Sequence, residues 1–178
     1  MNLEQKALFD GAIIASLPKH FFDASDVRQV PDTQEVYISL DSDDSIIIEI
    51  LERVSQDDSA DAARFHFEAI AHDNDAVSSS VDDVNEIPYN LADEIPSIVI
   101  LHGRQGVRKF NKTSVDDVRI FVALYRLKER GVDLVLSLNF PMKTGDDVIR
   151  TEQEYNTAKD IFRSIASSFQ IIDFNLFG

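Results

Sequence analysis

The chain has 178 residues, of which 44% are hydrophobic, and it contains no cysteine. This size and composition predict one globular domain, residues 1–178, and they exclude disulfides and thiolate metal sites. The 32 acidic and 17 basic residues give a net charge of −15, which disfavours nucleic acid and anionic membranes as partners because both carry negative charge.

The same features indicate where the protein works and what it contacts. The absence of cysteine is typical of a reducing compartment such as the cytosol or nucleus. The sequence contains no secretory signal and no apolar run of the roughly 20 residues that a membrane-spanning helix requires. A basic protein surface is the partner that such charge favours, although strong negative charge also simply keeps proteins soluble.

Short apolar runs predict three strands in the first third of the chain, at residues 10–17, 35–40 and 45–54. The turn-like DSDD joins the last two, and we expect these first strands to be hairpin neighbours. The stretch 22–38, FDASDVRQVPDTQEVYI, follows the first of these strands and runs into the second. Its acidic residues are too crowded for a strand and too irregular for an amphipathic helix, so we predict a loop there.

Residues 58–72 change to helical periodicity and predict a helix over one face of the sheet. Its predicted apolar face consists of Ala63, Phe67, Ile70 and Ala71. The polar stretch that follows is harder to interpret, and SSSVDDVNEI within it predicts an edge strand.

Three clearer strands follow at residues 97–103, 118–127 and 132–140, and in the last of them every second residue from Val132 to Phe140 is apolar. The short KERG connection between the last two strands requires an antiparallel hairpin. A final helix begins at the capping box of Thr151 and Glu154. The predicted buried face of this helix is Tyr155, Ala158, Phe162, Ile165 and Phe169. The predicted fold class is α/β (α+β), with a mainly antiparallel sheet flanked by helices.

The sequence contains no pattern of an enzyme active site, a metal site or a cofactor site. The glycines fit neither phosphate-binding loop, and no serine lies in a nucleophile elbow. The four histidines include no pair at helical metal spacing. Residues 41–52 resemble a calcium loop at three positions, but Ile46 stands where that loop requires glycine. We therefore expect a protein that is not an enzyme, with no catalytic residue, metal or cofactor.

One cluster of basic residues stands out in this acidic chain, and its interpretation stays open. It predicts a solvated hairpin, with contact to an acidic partner as the alternative. The cluster consists of His102, Arg104, Arg108, Lys109 and Lys112.

The sequence resembles the Mog family of Ran-binding nuclear transport factors, also called Ran guanine nucleotide release factors. The resemblance starts at LFDGAIIASLP and is dense through FFDASDVRQVPDTQEVYI into SIIIEILE. It continues more thinly through FHFEAI, VALYRL and DLVLSLNFP to the terminal DFNLFG. Asp10 departs from the family, which usually has glycine there.

This resemblance implies a Mog/PsbP-like fold, binding to the GTPase Ran, promotion of nucleotide release and a part in nuclear protein import. A monomer in nucleus and cytoplasm is expected. The alternative is a PsbP-like ligand-binding or scaffold domain without Ran activity, because fold alone does not fix function.

The resemblance also implies that the acidic loop binds Ran. The positions to which it assigns this role are Asp23, Arg28, Asp32 and Glu35, with Asp26 and Gln34 as their neighbours. Two of these residues have structural alternatives. Asp23 could instead cap a short turn, and Arg28 could form an internal ion pair that fixes the loop.

Overall fold

A computed structural model describes residues 2–108, 113–143 and 149–178. The strands are β1 (Leu3–Leu8), β2 (Ile13–Pro18), β3 (Phe21–Asp23), β4 (Gln34–Ser39), β5 (Ser45–Glu52), β6 (Ser78–Pro88), β7 (Ser97–Arg108), β8 (Val115–Leu127), β9 (Val132–Lys143) and β10 (Gln170–Ile171). The helices are α1 (Ser59–Asp73) and α2 (Glu152–Ser168). No helix in these ranges is long and apolar enough to cross a membrane.

The strands form two antiparallel sheets. The larger has seven strands in the order β3-β4-β5-β9-β8-β7-β6, and the smaller has three in the order β1-β2-β10. One face of the large sheet shares a core with α2 and the small sheet, and α1 packs on the other face. The predicted antiparallel sheet flanked by helices is confirmed.

Alternation along β9 separates the two cores as the sequence predicts. Leu134 and Leu136 belong to the core under α2, whereas Val135 between them belongs to the core under α1. The predicted face of α2 is buried in full, including Phe162 at 0% exposure. Burial of each large side chain of this kind stabilises the fold by about 1.5 to 3 kcal/mol.

The first third of the chain departs from the prediction. The strand expected at residues 10–17 begins at Ile13, because Phe9 and Asp10 adopt left-handed backbone angles in a turn between β1 and β2. These strands belong to the small sheet, so β2 is not a hairpin neighbour of β4. The stretch 22–38 is also not one loop, since β3 and β4 occupy its two ends and leave only residues 25–33 exposed or half-buried between them.

A fully buried carboxylate joins α1, β8 and the segment after β5. Asp133 on β9 accepts hydrogen bonds from Arg126 Nε at 3.0 Å and from the Val54 backbone N–H at 3.2 Å, and it lies 2.8 Å from His66 Nε2. Burial opposes ionisation, but the hydrogen bonds from His66, Val54 and Arg126 outweigh it and lower the pKa of Asp133. Arg126 also donates to the carbonyl oxygens of Val54 and Gln56, which fixes the entry to α1.

We expect Asp133→Ala to lower the free energy of unfolding by about 3 to 5 kcal/mol, because it leaves the largely buried Arg126 side chain without its counter-charge. The lowered pKa of Asp133 also makes the stability depend on pH. The stabilisation by ionised Asp133 is fully present above the pKa of this group in the unfolded chain, and it is lost as pH falls through the pKa of the folded protein. Urea unfolding followed by circular dichroism measures the change. Asp57→Ala is the control, since its side chain is 93% exposed, and an equal loss for both variants would contradict this account.

Candidate functional site

Four of the six predicted site residues line one cleft of about 740 Å³. These residues are Asp23, Asp32, Gln34 and Glu35. The cleft also includes two parts of the chain that the sequence did not nominate, the turn between β1 and β2 and the C-terminal segment. Its other lining residues are Ala7, Phe9, Asp10, Gly11, Ser25, Val30, Pro31 and Leu176.

The cleft is strongly acidic. Asp10, Asp23, Asp32 and Glu35 bring four carboxylates to it, and none of the described residues that line it is Lys, Arg or His. The electrostatic effect extends to a neighbouring strand position. Burial, together with the smaller effects of the Glu35, Asp23 and Asp26 carboxylates, raises the pKa of Tyr37 to about 12. The arrangement favours a cationic ligand or a basic protein surface.

Glu35 holds the β1–β2 turn against the large sheet. Its Oε1 accepts a hydrogen bond from the Phe9 backbone N–H at 2.6 Å. Phe9 and Asp10 have φ of 50° and 55°, a region that non-glycine residues adopt at an energetic cost. The carboxylate of Glu35 therefore has a structural function in addition to its negative charge.

The same surroundings change how readily Glu35 ionises. Burial raises the pKa of Glu35, the hydrogen bond from Phe9 opposes that rise, and the nearby Asp23 and Asp10 carboxylates add to it. Its neighbour Gln34 is also engaged, since Gln34 Nε2 donates to Glu49 Oε1 on β5 at 2.7 Å.

Asp32 has a different environment from Glu35. It is exposed, directly after Pro31, and no hydrogen bond or ion pair of its side chain occurs within the described part of the chain. Pro31 restricts the backbone before it, and the Pro31 carbonyl accepts a hydrogen bond from Gln34 N–H at 2.9 Å, which closes a turn around Asp32. Asp32 is thus a solvated carboxylate on a constrained support.

Asp23 lies in the lining of the cleft and also has a local structural role, whereas Asp26 and Arg28 lie outside the lining. Asp23 caps the short 3-10 helix Ala24–Asp26 by accepting from Ser25 N–H at 2.8 Å, which confirms the capping alternative. Asp26 and Arg28 are exposed and do not line the cleft. In the described ranges Arg28 forms no ion pair, and its guanidinium only approaches the Gln29 carbonyl at 3.5 Å.

Sequence reasoning missed Asp10 and Leu176 as cleft residues. The Asp-Gly pair at residues 10–11 is a turn signal that could have identified the first. Nothing local identifies Leu176, which reaches the cleft because Ile172 and Asp173 N–H both donate to the Ala12 carbonyl, at 2.8 and 3.1 Å.

The other predicted clusters are not sites of this kind. His102 is buried and hydrogen-bonded to a carboxylate on β6, so the expectation that it lies in a solvated hairpin is wrong. Arg104, on β7, forms an ion pair with a carboxylate of β6, and Arg108 is exposed. Lys109 and Lys112 lie outside the described residues. Among the residues described, no group of His, Cys, Asp and Glu is arranged to hold a metal ion.

Comparison with known proteins agrees with this architecture. The chain has the two-sheet α+β fold of a solved structure, the Saccharomyces cerevisiae Ran-binding protein Mog1p, with a TM-score of 0.76, 27% identity and full coverage of both chains. The sequence profile of the family described as Ran-interacting Mog1 protein matches residues 6–141. The chain belongs to this family.

Full-length relatives support that membership. A Danio rerio protein named Ran guanine nucleotide release factor is 35% identical over 97% of this chain and 99% of its own length. The Homo sapiens protein of the same name is 33% identical over 96% of this chain and 95% of its own. The similarity therefore extends over nearly the whole of each protein.

Two carboxylates of the cleft should differ in their effect on stability. Glu35→Ala leaves the largely buried Phe9 N–H without its acceptor, and we expect it to lower the free energy of unfolding by about 1 to 3 kcal/mol. Asp32→Ala should change it by no more than about 0.5 kcal/mol, as is usual for exposed positions outside networks. Urea titrations followed by circular dichroism measure both values. A larger loss for Asp32→Ala would show that Asp32 is a structural residue.

Proposed function

We propose that this protein binds the small GTPase Ran, promotes release of guanine nucleotide from it and supports nuclear protein import. The observation that carries the proposal is membership of the Ran-interacting Mog1 family, with matching relatives named Ran guanine nucleotide release factors along nearly their full length. The acidic cleft supports it by offering an anionic surface to a basic face of the GTPase.

We place the contact with Ran at the cleft and its rim. The proposed residues are Asp23, Asp26, Arg28, Asp32, Gln34 and Glu35. Among them Asp32 is the principal contact, because its carboxylate is exposed, whereas Glu35 is half-buried and already bonded to Phe9. Asp26 and Arg28 lie next to the exposed Val27 and would contribute from the rim.

The proposed mechanism follows from how GTPases hold their nucleotide. A phosphate-binding lysine and Mg²⁺ supply much of that affinity, so a partner can favour release by offering the lysine a substitute carboxylate or by moving the loops that hold the metal. A binder shifts this equilibrium only if it binds the nucleotide-free state more tightly. Asp32 suits this role because Pro31 and the turn closed by Gln34 limit its movement.

The remaining features of the proposal concern the whole chain. It acts as a monomer of one domain, in nucleus and cytoplasm, through binding and not through catalysis, with neither cofactor nor nucleic acid. The competing function is a PsbP-like ligand-binding or scaffold domain without Ran activity. Retention of Ran by the purified protein distinguishes the two.

Release of a fluorescent guanine nucleotide from Ran, followed by stopped flow, tests the proposal. Excess protein should accelerate release, and Asp32→Ala should weaken Ran binding by about fivefold or more, the equivalent of about 1 kcal/mol. Asp41→Ala is the matched control, since it removes the same charge at an exposed position in the β4–β5 turn, outside the cleft.

Two outcomes would contradict this proposal in different ways. No binding of the wild-type protein to Ran in either nucleotide state would reject the function itself. Equal weakening by Asp32→Ala and Asp41→Ala would instead reject the cleft as the contact and leave only the net charge.

The charge of −15 also predicts salt-dependent association. The Debye length falls from about 10 Å at 0.1 M salt to about 3 Å at 1 M, which screens attraction between separated charges. We expect the association rate with Ran to fall steadily over this range, while the dissociation rate changes less. An association rate that is independent of salt would contradict electrostatic steering.

A further inference from the structure

We propose that Leu176, on the C-terminal 3-10 helix Phe174–Phe177, gives the Ran-binding cleft an apolar contact and touches the bound GTPase directly. This inference rests on the proposed function and adds a segment beyond residues 6–141, the part matched by the family profile. It concerns the part of the surface that holds the partner once the carboxylates have attracted it.

Leu176 lines the same cleft as the four carboxylates. It is half-buried and packs on the edge of the main core, so part of its side chain remains available at the cleft surface. The acidic loop contributes further apolar surface through Val30 and Pro31. The cleft therefore combines a mainly polar, anionic lining with a smaller apolar part, to which the C-terminal segment contributes Leu176.

The C-terminal segment is held in place by contacts on two sides. On one side, the Ala12 carbonyl accepts hydrogen bonds from two consecutive N–H groups, those of residues 172 and 173. On the other, Arg130 donates to the Phe174 carbonyl at 3.3 Å, and its guanidinium lies 5.0 Å from the centre of the Phe174 ring.

Glu94 fixes that arginine in turn, because its two carboxylate oxygens accept from Arg130 Nε at 2.9 Å and Nη2 at 3.1 Å. Asp173 caps the 3-10 helix by accepting from Asn175 N–H at 2.9 Å. Leu176 is thus presented on a braced support and not on a free end, so little conformational entropy is lost when a partner covers it.

In an interface that contains both charged and apolar groups, the two kinds of group should affect different rate constants. Charged groups mainly accelerate encounter, whereas differences in affinity between variants of one interface arise mostly from dissociation. Apolar contact at the centre of an interface excludes water and resists dissociation. Removing part of Leu176 should therefore raise the dissociation rate and leave the association rate nearly unchanged.

Surface plasmon resonance with immobilised nucleotide-free Ran tests this inference. We expect Leu176→Ala to raise the dissociation rate about fivefold or more and to change the association rate less than twofold. Leu176→Met keeps the volume and apolar character of the side chain, so this variant should dissociate from Ran at the wild-type rate. The matched control is Phe177→Ala, which alters the same 3-10 helix at a half-buried residue outside the cleft lining.

The variants separate direct contact from loss of structure. Melting followed by circular dichroism establishes that each variant is folded at the temperature of the assay. A wild-type dissociation rate for Leu176→Ala would overturn the inference, and so would an equal increase for Phe177→Ala, since the effect would then come from loosening of the segment. Both results would leave the proposed function intact, whereas failure of the wild-type protein to bind Ran would reject the two together.

Discussion

The central strands of the large sheet are buried on both faces, and this constraint determines where the chain can place its charge. Nearly every residue of β9 and most of β7 and β8 are buried, one face under α2 and the small sheet and the other under α1. Ionised groups are rarely buried unless they are paired. Most of the 32 acidic residues must therefore lie in turns, at strand ends and on the edges of the fold.

Asp133 shows what is required to bury a charged group within the central strands. This one carboxylate of β9 is fully buried, and its ionised form depends on hydrogen bonds from His66, Arg126 and the Val54 backbone. The arrangement uses a helix, a strand and the segment between β5 and α1 to hold a single charge. The carboxylates of the cleft need no such network because water still reaches Asp32 and much of its surroundings.

The cleft depends on contacts between parts of the chain that are far apart in sequence. Glu35 bonds to Phe9, which attaches the turn of the small sheet to β4, and Ala12 in that same turn accepts hydrogen bonds from the C-terminal segment. The β1–β2 turn is therefore the common support of the acidic loop and of the segment that carries Leu176. Its left-handed residues persist because contacts from both sides hold them.

Much of the fold was readable from local pattern. Alternation on β9, the capping box of Thr151 with Glu154 and the short KERG connection all predict elements that the structure contains. The family motifs pointed to Asp32 in the loop and to Glu35 at the start of β4, because those motifs are dense in that part of the chain. These candidate contact residues could thus be named from the sequence alone.

The rest depends on long-range contacts that sequence periodicity does not report. The strand β1 reads LEQKAL and is mostly half-exposed, so it shows no apolar run, and β10 has only two residues. The small sheet was missed for that reason, and with it the positions of Asp10 and Leu176. The pairing of His66 with Asp133 was equally invisible, because the two residues are 67 positions apart in the chain.

Hydrogen–deuterium exchange of the protein with and without nucleotide-free Ran tests the central claim most directly, that one cleft built from three segments receives the GTPase. We predict that Ran slows exchange in peptides covering residues 8–12, 24–35 and 172–178, and that peptides of α1, on the far face of the large sheet, exchange as in the free protein. Slowed exchange at α1 or at the β6–β7 edge, with no change in those three segments, would contradict the account.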